Sequence, residues 1–378
     1  MNQSSYAAAS AAAEVAASFY ARHGADPDHG GPSARSIPDI AAITAIVDAA
    51  FWASLRQEEG RFPRISLAYL APDRAGQPAM FARSLPLATE PLTRLAPAVE
   101  RPGVHLGVWR EDGELRVWGA TRTLPDLCLV LEVVEPGLLV LKYSRGDEYG
   151  KFGNIAVLRG DRVRVIDDRC ASLTNGPPLL VALLDLEAQD SWADDANGFV
   201  QIAVSMRRHA RGGSLLIVPD GSPKWRESII RPISYEIAPP FTRLAELLRL
   251  PPNERGRAGG RDGVPRLVDM IAGFTAVDGA AVMTDEYELL AFGAKIGRRD
   301  GMGAAEQVVV TEPVLDDVPT IVSTTQLGGT RHLSAAQFVH DQHDALALVA
   351  SQDGRFTAFA WSPSEQMVHA HRIETLLF

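Results

Sequence analysis

Apolar positions along this chain follow two patterns, and the change comes near residue 175. Before it, short apolar runs alternate with polar turns. Runs 104–108 and 115–120 flank Arg110-Glu111-Asp112-Gly113. Runs 127–134 and 138–143 flank Glu135-Pro136-Gly137, and runs 155–158 and 162–166 flank Arg159-Gly160-Asp161. Three pairs in a row, each joined by a glycine-bearing turn, predict antiparallel hairpins. Run 65–70 predicts one more short strand. A helix precedes them, because Ile40, Ile43, Ile46, Val47, Ala50 and Phe51 recur at helical spacing. Ser36-Ile37-Pro38-Asp39 reads as its start, with proline near the first helical position.

After residue 175 longer periodic segments interleave with short apolar runs. Helices are expected over 179–188, 196–209, 241–250 and 267–274. Strands are expected over 215–218, 280–283, 289–292, 345–350 and 356–361. Residues 251–265 (PPNERGRAGGRDGVP) read as a loop. Helices interleaved with strands over this length predict an α/β domain with a mixed sheet. At the other end, eight of the first 20 residues are alanine, and 7–21 is helical by propensity until 26–33 breaks it. The expected organisation is therefore a flexible Ala-rich leader (1–35), a smaller β-rich α+β domain (36–175), and an α/β domain of mixed sheet flanked by helices (176–378).

Composition narrows the function classes. The chain has 378 residues, 46% hydrophobic and 22% charged, which suffices for two sizeable cores. Lys+Arg is 37 against Asp+Glu 47, a net charge of −10. A protein living on a phosphate backbone is usually basic, so no DNA or RNA partner is expected. Two cysteines, Cys128 and Cys170, provide neither a disulfide framework nor a four-thiolate zinc site. No apolar run reaches the ~20 residues of a membrane span, and no signal-like leader is visible. A cytoplasmic protein without membrane contact is the expectation.

Two segments carry chemistry. Asp278-Gly279-Ala280 stands immediately before a strand. Its carboxylate can hold a divalent cation or accept a sugar hydroxyl proton, and the glycine permits close approach to the backbone; Asp-Gly is also a common turn dipeptide. Gly328-Gly329-Thr330-Arg331-His332 opens a helix. Bare N–H groups there suit an anion, and Thr330 and Arg331 add a hydroxyl and a forked cation; the same residues also make an ordinary helix start. Trp225, between Lys224 and Arg226, is a candidate ring for capping a nucleotide. His340, His343, His369 and His371 lack a carboxylate or cysteine at an established metal spacing. Neither a P-loop nor a Gly-x-Ser-x-Gly elbow occurs.

In order, these motifs resemble the diadenylate cyclase (DAC) domain over about residues 195–365. That family carries an Asp-Gly-Ala motif and a Thr-Arg-His-Arg motif. Here the sequence has Asp278-Gly279-Ala280 after a helix, a hairpin ending Leu290-Ala291-Phe292-Gly293-Ala294, then Gly329-Thr330-Arg331-His332, a helix, and strand–turn–strand. Residues 208–218 are similar to the family's first strand and the glycines before it. By layout, the N-terminal region resembles the related group called DACNV, proposed as nucleotide sensors. The resemblance implies that Asp278 sits by the nucleotide sugar and a Mg²⁺ or Mn²⁺ ion. It implies that Gly279, Ala280 and Gly293 line the nucleotide, and that Gly329, Thr330, Arg331 and His332 face its phosphates. An active cyclase would be a homodimer with Asp278 catalytic, making cyclic di-AMP from two ATP. Leu333 stands where the family has its second Arg, and Ser351-Gln352-Asp353 where it often has a Glu. These departures favour a sensor of ATP or a cyclic dinucleotide over a cyclase; a structural module without nucleotide is the third reading.

Overall fold

The computed structural model describes residues 5–23, 37–100, 103–145, 152–166, 198–251, 254–255 and 263–377. The chain divides into two compact units, Met1–Ile166 and Asp167–Leu377. The helix expected at 179–188, Cys170 and most of the 251–265 stretch lie outside the described residues.

Among the described residues the first unit is an eight-stranded sheet with three α-helices. In chain order these are α1 (Ala8–His23), α2 (Ile40–Ser54), β1 (Ile65–Tyr69), β2 (Ala79–Pro86), α3 (Thr89–Val99), β3 (His105–Glu111), β4 (Glu114–Thr121), β5 (Leu129–Glu135), β6 (Leu138–Ser144), β7 (Phe152–Arg159) and β8 (Arg162–Val165). The strand order is β2-β4-β3-β1-β5-β6-β7-β8. All three expected hairpins form. In the β3–β4 turn Asp112 and Gly113 both have positive φ (50° and 86°), the conformation that fits two residues to the strand twist. One pairing departs from an all-antiparallel reading: β1 runs parallel to β3, across the β2–α3 crossover that the apolar pattern did not reveal. Asp39, not Pro38, sets the start of α2; its carboxylate caps the Ala42 N–H at 2.7 Å and also meets Arg110.

The leader reading needs correction. Helix α1 is not loose: Ala9, Ala12, Ala13 and Ala16 are fully buried, and Phe19 and Tyr20 nearly so, in one core with α2 and the sheet. The alanines are small because two helices approach closely there, so a composition typical of loose termini marks a packed helix.

On the other face of this sheet a polar row crosses the strands. Ser66 and His105 share a hydrogen bond of 2.7 Å, and Lys142 pairs with Glu132 at 2.5 Å. Burial lowers the pKa of His105 to about 4, with Lys142 adding to the shift and Glu132 opposing it.

The second unit is a nine-stranded mixed sheet. Its elements are α4 (Gly198–Arg208), β9 (Gly213–Val218), β10 (Tyr235–Phe241), α5 (Arg243–Leu248), α6 (Gly263–Thr275), β11 (Ala280–Thr284), β12 (Leu289–Ala294), β13 (Gln307–Thr311), β14 (Thr320–Ser323), α7 (Thr330–Asp341), β15 (Leu346–Ala350), β16 (Phe356–Ser362) and β17 (Met367–Arg372). The strand order is β10-β12-β11-β9-β15-β16-β17-β13-β14, with β9 parallel to β11 and β13 parallel to β17. Leu215 and Ile217 of β9 pack on α4 and α6, while Leu216 and Val218 pack on α7. Helices thus cover both faces, and a strand buried on both sides reads as a continuous apolar run.

Two outcomes follow. Phe19→Ala should destabilise the first unit by ~3–5 kcal/mol in denaturant unfolding, as expected for a buried ring; a loss within ~0.5 kcal/mol would return α1 to the status of a loose leader. His105 binds its proton less readily folded (about 4) than unfolded, about 6.5. Its contribution is complete above pH ~6.5 and is lost as pH falls toward 4, about 3 kcal/mol in all. Urea unfolding from pH 7 to 4.5 should show this slope, and His105→Gln should flatten it.

Candidate functional site

The sequence-predicted residues converge on one end of the second sheet. Strands β9 and β11 are parallel, so Gly212 and Asp278-Gly279, which lead into them, lie at the same end. Strands β12 and β15 run antiparallel to these two, so Gly293 and Ala350 finish there as well.

Helix α7 begins at that end. Its N-cap is Gly329, in extended backbone, and no side chain caps it. Gly328, Gly329 and Thr330 are exposed. The first N–H groups of a helix have no intrahelical acceptor and carry the positive end of its dipole. Arg331 follows, half-buried. A Cβ at Gly212 would sit 2.9 Å from its Nη1, so the guanidinium lies against the bare turn into β9. Among the described residues no ion pair holds Arg331.

Asp278 is almost wholly exposed, and its carboxylate binds the Lys295 ammonium. The hydrogen bond and charge of Lys295 hold it below the usual carboxylate range, and Arg331 adds a smaller pull in the same direction. Asp278 and Arg331, 53 residues apart in sequence (331 − 278), therefore share one electrostatic neighbourhood. Lys295 carried no motif and was not a candidate; only its place at the end of β12 brings it in.

Gly279 and Gly293 pack on each other. Gly279 has φ +115°, and a Cβ there would come within 2.5 Å of the Gly293 carbonyl carbon. Gly293, at φ +63°, is in turn covered by Tyr235, whose ring a Cβ would meet at 2.8 Å. Tyr235 stacks on Phe292 (4.7 Å, 13°), and Phe292 on Phe274 (4.6 Å, 16°). Tyr235 is 51% exposed at the end of this stack. Its strand, β10, was not foreseen, since Tyr235-Glu236-Ile237-Ala238-Pro239-Pro240 breaks any two-residue alternation.

Three candidates lie inside. Ala280 is buried within β11. His332 is buried beneath the glycine loop, where a Cβ at Gly328 would approach its Nδ1 to 3.1 Å. Burial lowers the His332 pKa, Arg372, Arg355 and Arg331 lower it further, and Asp353 opposes them. It braces the loop as a neutral ring. Trp225 is 3% exposed, packed in the core under α7, with the Arg226 guanidinium 4.6 Å from its ring centroid. The Lys224 carbonyl accepts from Gln342 at the C-terminal end of α7, about 18 Å of helix from Thr330. Trp225 therefore cannot cap a ligand at Arg331; its polar neighbours in sequence conceal a core residue.

The donors fall short of a divalent-cation site. Asp278 is engaged by Lys295, Asp353 by Arg355 at 3.3 Å, and no group of three or more His, Cys, Asp or Glu among the described residues could hold a metal. His343 stacks on Trp361 at 3.7 Å, and His371 is buried against Thr311.

Comparison with known proteins gives one family match. Residues 32–122 match the family described as probable sensor domain DACNV. The match lies within the first unit, in the region whose layout resembles that group; the DAC-like motifs at 278–332 lie outside it. No curated protein matches the chain. A solved structure described as a hypothetical membrane spanning protein from Bacillus cereus is 15% identical, over 51% of this chain and 71% of that one, with a TM-score of 0.28. That likeness carries no structural argument. No helix among the described residues is long and apolar enough to cross a membrane.

Gly279→Ala should lower stability by ~1–3 kcal/mol, from strained backbone and contact with Gly293. Gly303→Ala, with nothing within 4 Å, is the control. Calorimetric melting of both variants checks the difference, and equal effects would remove the close approach from the description.

Proposed function

We propose that the protein is a sensor whose second unit recognises a phosphate-bearing nucleotide, ATP or a cyclic dinucleotide, at the start of α7. One observation carries this reading: an uncapped, glycine-opened helix start and the unpaired Arg331 guanidinium meet at one exposed spot, with Asp278 in electrostatic reach. Phosphate oxygens accept from bare N–H groups, from Thr330 and from both prongs of Arg331. Asp278 faces the sugar hydroxyls, and Tyr235 offers a base a flat surface next to Gly293. The DACNV match in the first unit supports the sensor role.

The runner-up is a diadenylate cyclase, and two features weigh against it. Leu333 removes a second cation from the phosphates, and the carboxylates nearest the site are already paired with Lys295 and Arg355. The remaining reading is a structural module that binds no nucleotide.

Calorimetry against ATP, GTP and cyclic dinucleotides, with and without Mg²⁺ or Mn²⁺, separates these readings. Arg331→Ala should weaken the best ligand by ~1.5–3 kcal/mol, about 10- to 150-fold. Arg331→Lys should restore only part, because the fork is lost. Equal affinity of all three proteins, folded alike by circular dichroism, would place the phosphate elsewhere. Absence of any binding leaves the structural module, and turnover of ATP to cyclic di-AMP near ~1 s⁻¹ promotes the cyclase.

A further inference from the structure

A cleft of about 370 Å³ opens between the C-terminal turns of α4 and α6, on the opposite sheet face from α7. Its walls are Ser205, Arg208, His209 and Arg211 on one side, and Asp269 with the bare backbone of Gly273 on the other. The volume is at the small end of ligand sites. Ser205 Oγ donates to Asp269 Oδ1 at 2.6 Å, and among the described residues the second carboxylate oxygen has no hydrogen-bond partner.

The simplest role for arginines at helix ends is to neutralise the last carbonyls. Here that role is already filled. The Ser205 and Arg207 carbonyls accept from the His209 and Ala210 N–H groups. The Gly273 and Phe274 carbonyls accept from Ala276 and Val277, and Ala272 from the Thr275 hydroxyl. Arg208 and Arg211 are exposed, and among the described residues neither guanidinium has an ion-pair partner. Burial lowers the pKa of His209, the Ala272 carbonyl opposes this, and Arg211 lowers it again. Two free guanidinium groups therefore face one carboxylate, in a chain whose net charge is −10.

We propose that this cleft is a second ligand site, separate from the α7 start, which takes a small phosphorylated molecule bearing a free hydroxyl. Arg208 and Arg211 bind the phosphate as charged donors, and the open oxygen of Asp269 accepts the hydroxyl. The two sites are back to back. Arg211 belongs to the cleft, and the next residue, Gly212, lies against Arg331. The proposal does not rest on nucleotide binding at α7.

The test is amide NMR of the full chain, titrated with glycerol 3-phosphate and with inorganic phosphate to about 10 mM, a range that covers the weak affinity of small anions. Saturable shifts at the Gly273 and Ala276 amides are expected in the wild type and equally in Arg331→Ala. Arg208→Ala/Arg211→Ala should weaken them at least ~10-fold for the loss of two ionic hydrogen bonds, with the rest of the spectrum unchanged because both side chains are exposed. Asp269→Asn should reduce the preference for glycerol 3-phosphate over phosphate. Absence of saturable shifts in the wild type, their persistence in the double variant, or their loss in Arg331→Ala would each overturn the proposal.

Discussion

The second unit is organised by one strand. Every residue of β9 is buried, so both of its neighbours must pair with it along its length to satisfy its backbone in a region without water. It does so in parallel with β11 and antiparallel with β15. That pairing brings three distant chain segments to the same edge. Helices on both faces follow, because a strand this apolar needs a cover on each side. The candidate residues come together because of where β9 begins.

Position along the chain was legible wherever a local rule decides it. Hairpin turns such as Asp112-Gly113 are specified by residues that tolerate positive φ, and the three predicted hairpins form where expected. In the second unit the strands expected at 215–218, 280–283, 289–292, 345–350 and 356–361 form, whereas β13, β14 and β17 were not among those expected. What the sequence concealed depends on partners far away. Helix α1 looked like a loose end because alanine signals propensity but not packing. Trp225 looked exposed because its neighbours in sequence are charged, yet its ring fills the core with the Arg226 guanidinium laid over it. Strand β10 and Lys295 carry no periodic or motif signal at all. The motif residues divide likewise: Asp278, Gly329 and Thr330 lie at the surface with Arg331 half-exposed beside them, whereas Ala280 and His332 support them from beneath.

The acidic charge of the whole chain coexists with a local surplus of guanidinium groups at the sheet end. Some exposed carboxylates elsewhere meet a cation within a turn, as in Arg94–Glu90 and Arg243–Glu246. Such exposed pairs add little stability each, and each neutralises its own two charges. The long-range field of an acidic molecule repels any anion. Recognition there has to be short-range and geometric, and its rate of capture should respond weakly to salt compared with that of a basic protein.

The contact of Gly279 with Gly293 has a consequence for how this chain can vary. A side chain at Gly279 would meet backbone atoms, which cannot be trimmed by changing another residue. At Gly212, by contrast, the nearest obstacle is the far end of the Arg331 side chain, which can move or be replaced. The two glycines differ in what can compensate for their loss. A substitution at 212 loses its nearest obstacle in a lineage that has also abandoned Arg331, and keeps only the strain of φ +71° and the Ala350 carbonyl at 3.3 Å, whereas at 279 the nearest obstacles are all backbone atoms. The glycine at 279 is therefore held by the fold itself: a descendant would keep it whatever became of the cation opposite.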